Sequence, residues 1–397
     1  MPVALAHLVA VGDPLFSGGA GDTLATLAIV VLKAVVTFVV LLVGVLFMVW
    51  FERKVISDMQ NRIGPNRAGP FGILQTLADG IKLFFKEDLL PDRADRRVFK
   101  LAPYLSLVPA FLAFAIVPVG GTITIAHHKT FLQLADPPIG ILFLLAMSSV
   151  AVYGVMLAGW ASGSKYPLLG SVRASAQMVS YEAAMGLSVA TIVLLAGSLS
   201  THDIVTAQSG GVTNLFILKA GLIPFFIFMI AATAELNRPP FDLVEAEQEL
   251  VGGFHTEYSS IRFALFFLAE FMNTITMSAV VVTLFLGGPS GPGFHFLTWL
   301  WPILWFVAKL FVFLFTYVWL RATLPRLRYD QLMDLGWKVL IPASLGWLLI
   351  MAAIQLELWY AGVGLVLGLL AWAMLARAMR VGRERSASTF ARGGVTP

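Results

Sequence analysis

Residues 234–258 read AELNRPPFDLVEAEQELVGGFHTEY. Six carboxylates, Glu235, Asp242, Glu245, Glu247, Glu249 and Glu257, share this segment with a single guanidinium, Arg238. Two further acids stand inside long apolar runs. Glu182 follows Tyr181, and Glu270 lies one turn before Asn273 and Thr274. A charge near mid-membrane costs about 2.5–3.5 kcal/mol on insertion scales, so a residue of this type in such a place marks a functional site. A buried carboxyl that has no salt bridge holds its proton more tightly than usual, and can take up and release it near neutral pH. The chemistry these residues suit is proton relay.

The backbone around the acids is broken twice. Pro239-Pro240 stops the preceding helix at Arg238, and Gly252-Gly253 lets the chain turn after the acids. If 242–250 is helical, Glu245 and Glu249 are i,i+4 neighbours and repel, while Glu247 points roughly the other way. A solvated loop carries such charges at little cost. One folded back into a helix bundle must protonate or pair them, and irregular backbone at membrane depth is tolerated only where it lines a cavity or is buried in protein. The segment is therefore expected to be a re-entrant element along a polar cavity.

A second irregular segment, FERKVISDMQNRIGPNRAGPFG at 51–72, sets Arg53, Lys54, Arg62 and Arg67 around a turn built from Gly64, Pro65, Asn66, Gly69 and Pro70. Charge alone would anchor a loop, but a fixed backbone is more than anchoring needs. In 72–88, Ile73, Leu74, Leu77, Ile81, Phe84 and Phe85 fall on one helical face, with Gln75, Asp79, Lys82 and Lys86 elsewhere. This stretch is too short and too charged to span. It suits a helix in the membrane interface, as a lipid anchor or as a lintel over a side opening for a hydrophobic substrate.

The rest of the chain must position these groups. Of 397 residues, 58% are hydrophobic and 13% charged, about half the charge of a soluble domain. Runs such as 262–286 and 299–320 cross about 30 Å of hydrocarbon as helix. Two-residue alternation is lacking, which argues against a barrel. The reading is an all-α polytopic membrane protein with about nine spans, an interfacial amphipathic helix and a large acidic cytoplasmic loop. The spans fall near 24–50, 99–119, 138–160, 177–197, 214–232, 262–286, 299–320, 338–356 and 359–378, in one integral-membrane domain over 1–380. The last two spans could instead form one bent helix. The basic tail 381–397 is read as disordered. The chain has no cysteine, which excludes disulfides and thiolate-held metal or iron–sulfur centres. His127-His128 sits in a short polar loop with no third ligand nearby, so no metal site is expected.

Loop charge sets the orientation. Twenty Lys and Arg lie in one alternating set of loops and only Lys129 in the other. By the positive-inside rule the N-terminus is outside and the C-terminus cytoplasmic, in a cell inner or plasma membrane. The acidic segment is then an inside loop, the one inside loop that is acidic overall. No Lys or Arg precedes Lys33, which argues against a cleaved signal peptide. Lys33 and Lys219, near helix ends, are expected to snorkel; Lys309 sits mid-span. The net charge of +4 gives no reason to expect nucleic acid as a partner.

Four segments, ERK at 52–54, IGPNRAGPFG at 63–72, GWASGSKYPLLGSVRASAQMVSYE at 159–182 and AELNRPPFDLVEAEQELVGGFHTEYS at 234–259, resemble signature segments of one family. It is the membrane subunit of respiratory complex I, the proton-translocating NADH–quinone oxidoreductase, that is called the H subunit in bacteria and subunit 1 in mitochondria. The likeness runs in order over roughly 20–335. It implies a chain that forms the membrane part of a quinone chamber and couples quinone reduction to proton translocation. Arg53, Arg62, Arg67, Arg238, Phe241 and Asp242 would line the chamber or its entrance. Glu182, Glu235, Glu245, Glu247, Glu249, Glu257 and Glu270 would form the proton relay. Glu52, Gly64, Pro65, Asn66, Asp79, Lys82, Arg173 and Tyr181 would have structural or interface roles. The resemblance implies quinone as substrate, no cofactor bound by this chain, and FMN and iron–sulfur clusters on partner subunits. The implied partners are peripheral-arm quinone-site subunits, membrane-arm antiporter-like subunits and lipid.

Two departures stand out. Some family members carry an acid in the third span, where 138–160 here offers only Tyr153 and small hydroxyls. The chain also continues past the usual end with 359–397. The nearest alternative is the related membrane subunit of a membrane-bound hydrogenase or of a ferredoxin- or F420-linked pump. A stand-alone ion transporter and an inert scaffold are more distant ones.

Overall fold

The computed structural model describes residues 13–16, 23–125, 127–242, 251–293 and 297–356, with a few isolated positions from 362 to 377. Among them, seven helices are long and apolar enough to cross a membrane, and the fold is all-α and polytopic. They are α1 (Thr23–Met59), α3 (Arg96–Phe114), α4 (Gly140–Ala161), α5 (Lys165–Ala196), α8 (Ser260–Phe285), α9 (Leu300–Thr323) and α10 (Tyr329–Leu356). Shorter helices are α2 (Gln75–Phe85), α6 (Thr201–Ala207) and α7 (Leu222–Glu235). The expected span 359–378 lies mostly outside the described residues, and 381–397 lies wholly outside them.

α8 is the central helix, with 72% of its most apolar window buried, against 17% for α1. It packs on α3, α1 and α9, while α5 packs on α4, α7 and α10. Small residues permit the close approaches. A Cβ on Gly170 of α5 would stand 2.9 Å from the backbone of Gly253, so the chain following the acidic segment lies directly on α5.

Several helices depart from hydropathy. α1 continues nine residues past the expected end at 50, so the ERK segment is helical and not a loop. At about 1.5 Å per residue its 37 residues are far longer than the hydrocarbon core. The helix can continue because its charged side chains are paired sideways, Glu52 with two arginines and Arg53 with Asp79. α5 begins at Lys165, so 165–176, expected as loop, is helix. α10 likewise reaches back to Tyr329 and contains a π-turn at Gly336–Leu340. The expected fifth span is broken at Gly221, whose φ of 82° is open to glycine without strain. What remains, α7, has 14 residues and ends at Glu235.

The loop with His127-His128 is a short antiparallel hairpin, β1 (Thr122–Ile125) and β2 (His128–Phe131), with Thr122 opposite Phe131. Beside it, Lys33 is not snorkelling. Its ammonium lies 3.0 Å from the buried carboxylate of Asp13 and donates to Thr130 Oγ1 at 2.9 Å. Lys309 points its ammonium at the carbonyls of Leu286, Gly288 and Ser290, at 2.7–3.0 Å, and so satisfies the chain leaving α8.

α2 has the expected amphipathic form. Its polar side is fixed by Arg53–Asp79 at 2.8 Å, and its end by Ser260 Oγ donating to the carbonyls of Leu83 and Lys86. Ile81, Phe84 and Phe85 are left exposed on the apolar side.

Candidate functional site

After α7 the chain runs irregularly from Leu236 to Asp242, and all of it except Asn237 is buried. Its polar groups are satisfied inside the bundle. Gln177 of α5 donates through Nε2 to the carbonyls of Ala234 at 2.7 Å and Phe241 at 2.9 Å, clamping both ends of the segment. The Leu327 amide donates to Pro240 O at 3.0 Å, and the Phe241 amide to Arg238 O at 2.9 Å. Phe241 rests against Tyr181, ring centroids 5.4 Å apart, and the Tyr181 hydroxyl donates to Leu332 O at 2.9 Å. This first part of the acidic loop is thus folded into the protein, as irregular backbone at this depth requires. Glu245, Glu247 and Glu249 lie outside the described residues.

Two clefts flank the segment. The first, about 440 Å³, opens between α1, the rigid turn after it, α8 and α9. Glu52, Arg53, Arg62, Gly64 and Pro65 line it, with Phe271 and Arg321 opposite. The second, a narrow cavity of about 80 Å³, lies between α3, α4 and α8 and is mostly apolar, with Ser106, Ser148, Glu235, Asn237, His255, Glu270 and Asn273 as its polar lining.

Arg238 sits between them. Its Nη1 donates to both oxygens of Glu52 at 3.3 Å, in the first cleft, and its Nε lies 2.8 Å from Glu270, in the second. The guanidinium also lies over the Phe271 ring, 4.3 Å from its centroid. Glu52 carries a second ion pair, to Arg321 of α9. Arg321, Glu52, Arg238 and Glu270 therefore alternate in charge from one cleft to the other. Glu270 is not the unpaired carboxyl that its apolar helix suggests, because Arg238 reaches it from another element.

Glu235 and Glu182 are the deeper acids. Glu235 accepts a hydrogen bond from Ser148, and Glu182 one from Ser149, both hydroxyls of α4. The third span thus serves both carboxylates through adjacent serines. Asp242, buried, pairs with Arg326 at 3.0 Å. Among the described acids of the loop, Asp242 thus takes its countercharge from an arginine distant in sequence.

His255 also lines the second cleft. Burial pushes its imidazole down to about 4, against the opposing pull of the Asp242 charge, so the ring is neutral at pH 7. Asp79 feels burial, which favours its proton, but hydrogen bonds and charge from Arg53 and then Lys82 outweigh it and hold the carboxyl below its ordinary range. Arg173 lies over the Tyr329 ring at 5.8 Å. Asn66 and Arg67 are exposed, and Glu257 lies around neither cleft.

Sequence reasoning does not single out Gln177, Ser148, Ser149, Arg321, Arg326 or His255. Gln177 lies inside the long motif of 159–182, which is a signal for it. The arginines count there only as topogenic charge.

A profile for the NADH dehydrogenase family matches residues 32–352. The chain belongs to this family. It is 52% identical to the H subunit of the NADH-quinone oxidoreductase of Frankia alni, over 91% of this chain and 82% of that one. It is 54% identical to the H subunit of the Frankia casuarinae enzyme, over 86% of this chain and 78% of the relative. The family match covers every site element from α1 to α10.

Proposed function

We propose that this chain is the quinone-chamber subunit of a proton-translocating NADH–quinone oxidoreductase, and that its two clefts are respectively the quinone side and the proton side of the coupling machinery. Family membership and the identity to these bacterial relatives make it a complex I subunit. Neither relative carries a hydrogenase name. The observation that carries the finer reading is Arg238, shared by Glu52 of one cleft and Glu270 of the other.

The first cleft joins apolar walls, Val49, Ile56 and Phe267, to a cationic rim, Arg53 and Arg62. That suits an amphipathic headgroup with an isoprenoid tail, entering beside the exposed apolar face of α2. Reduction of a quinone adds two electrons and draws two protons. Negative charge arising there acts on charges a few Å away by several kcal/mol at an effective dielectric of about 20. It competes with Glu52 and Glu270 for Arg238, and a weakened Arg238–Glu270 pair makes Glu270 a better proton acceptor. Glu235 and Glu182 continue the path, and Glu245, Glu247, Glu249 and Glu257 extend the relay along the loop. The chain supplies no redox centre in this reading; FMN and iron–sulfur clusters belong to peripheral-arm partners, and antiporter-like subunits receive the signal. The N-terminus is outside and the C-terminus cytoplasmic.

The test is Glu52→Gln and Glu270→Gln in the assembled complex, reading quinone reduction and protons translocated per electron. The expected result is reduced translocation in both. Unchanged rate and stoichiometry in both variants would refute the coupling role.

A further inference from the structure

Two different parts of the chain fasten α2. In its first half, Asp79 pairs with Arg53 of α1 at 2.8 Å. Just before it, the backbone at Gly72 lies so close to Pro65 that a Cβ there would stand 2.4 Å from the Pro65 carbonyl carbon. Arg53 and Pro65 both line the first cleft, so α2 lies at the edge of that cleft.

The other end of α2 is held by the residues that close the acidic segment and open α8. Ser260 Oγ shares its one proton between Lys86 O at 2.8 Å and Leu83 O at 3.0 Å, carbonyls that a helix end leaves without an amide partner. Ser259 Oγ accepts the Leu89 amide at 2.9 Å and donates to Glu87 O at 3.2 Å. Arg262 Nη2 lies 2.8 Å from Asp88, with its guanidinium over the Phe99 ring of α3, 5.6 Å from the centroid.

Ser260 is buried, and its φ is 55°, in the left-handed region where glycine is at ease and serine is not. Glycine would suit this backbone better. What serine adds is the hydroxyl, and the hydroxyl serves α2. Apolar packing does not fix that end of the helix, since Phe84 and Phe85 are exposed. Phe267, two turns after Ser260 on the same face of α8, lines the first cleft. The start of α8 thus grips α2 and continues as a wall of the cleft that α2 borders.

We propose that Ser260, with the Arg262–Asp88 pair beside it, is a positioning residue for quinone entry: it holds the last turn of α2 against the start of α8, and so sets the edge over which a long isoprenoid tail passes into the first cleft. The inference rests on the reading of that cleft as the quinone side. An edge that guides the tail acts on long-tailed quinones and leaves short-tailed ones with the same headgroup unaffected.

The experiment uses the assembled complex in liposomes, with the isoprenoid quinone of the host membrane and a decyl-tailed analogue of the same headgroup. Ser260→Gly removes the hydroxyl and relieves the backbone. It is expected to raise KM for the isoprenoid quinone about fivefold, the worth of one average hydrogen bond, and to leave KM and kcat for the decyl analogue unchanged. Asp88→Asn, on the linker after α2, should raise the same KM less, and Asp88→Glu should restore it. If Ser260→Gly does not assemble, Asp88→Asn decides by the same split between tails. An unmoved KM for the isoprenoid quinone overturns the proposal. So does an equal rise for both quinones, which would place the defect in the chamber and not at its edge. Arg62→Ala, on the cationic rim of the cleft, separates the two readings. If it leaves the kinetics of both quinones unchanged, the first cleft is not the quinone side and the role of Ser260 falls with that reading. If it impairs both while Ser260→Gly changes neither, only the role of Ser260 falls.

Discussion

Arg238 Nε lies 2.8 Å from Glu270 Oε1, and the same guanidinium bonds Glu52 at 3.3 Å. Only a planar, forked cation serves two carboxylates on different elements in this way. Arg238→Lys keeps the charge and loses the fork, so the complex is expected to assemble with quinone reduction impaired. Arg238→Met leaves the buried Glu52 and the half-buried Glu270 with one cation fewer, a loss below the roughly 3–5 kcal/mol seen when one partner of a fully buried pair is removed. Adding Glu270→Gln should restore part of that stability, because it removes a charge that has lost Arg238. Thermal denaturation of the three complexes checks the order: Lys highest, the double variant next, Met lowest.

Ser148 and Ser149 donate to Glu235 and Glu182. Ser148→Ala removes the only hydrogen bond the described structure gives Glu235, so translocation should slow more than in Ser149→Ala, whose carboxylate is less buried. Hydrogen bonds to charged groups are worth about 1.5–3 kcal/mol, which sets the effect near tenfold or above. Ser148→Thr keeps the hydroxyl and should retain most of the rate. Equal loss in Ser148→Thr and Ser148→Ala would show that volume, not hydrogen bonding, decides.

Gln177 holds Ala234 and Phe241 through one amide. In Gln177→Leu two buried carbonyls lose a donor, at about 1–3 kcal/mol for each group left unsatisfied. The segment 236–242 should loosen, with faster proteolytic cleavage there and lower quinone reduction. Unchanged cleavage would mean that the Leu327 and Phe241 amides hold the segment without it.

The helices are legible in the sequence because lipid-facing length is written in hydropathy. Their ends are not. α1 carries Glu52 and Arg53 in helix past residue 50, and α5 starts at Lys165, because ion pairs and the α5 contact at Gly253 support helix that hydropathy does not register. The acids of the site are visible as residue types in the wrong solvent. Their partners are not, since Arg321 and Arg326 read as topogenic charge until the fold brings them to Glu52 and Asp242. The Ser148-Ser149 pair is visible as small hydroxyls in a span, but only packing shows that they face Glu235 and Glu182. The hairpin at 122–131 has no alternation long enough to notice.

His255 gives the site a pH dependence of known sign. Burial lowers its pKa from 6.5 to about 4 in the folded protein. Below pH 6.5 the unfolded chain binds a proton at this residue that the folded chain refuses, down to about pH 4. This contribution is therefore fully present above pH 6.5 and is lost as the pH falls. Between pH 7 and pH 5 the loss is at most about 2 kcal/mol, and less to the extent that water reaches the ring. Carboxylates such as Asp79, held in ion pairs, also weaken the fold in acid, so the wild-type trend alone does not isolate the histidine. His255→Gln does, because it keeps a polar, neutral side chain in the cleft and cannot titrate. Thermal midpoints of the complex at pH 7 and pH 5 should fall less in His255→Gln than in the wild type. If both fall equally, the imidazole is already solvated in the folded state, and His255 is not the buried neutral wall of the cleft that holds Glu270.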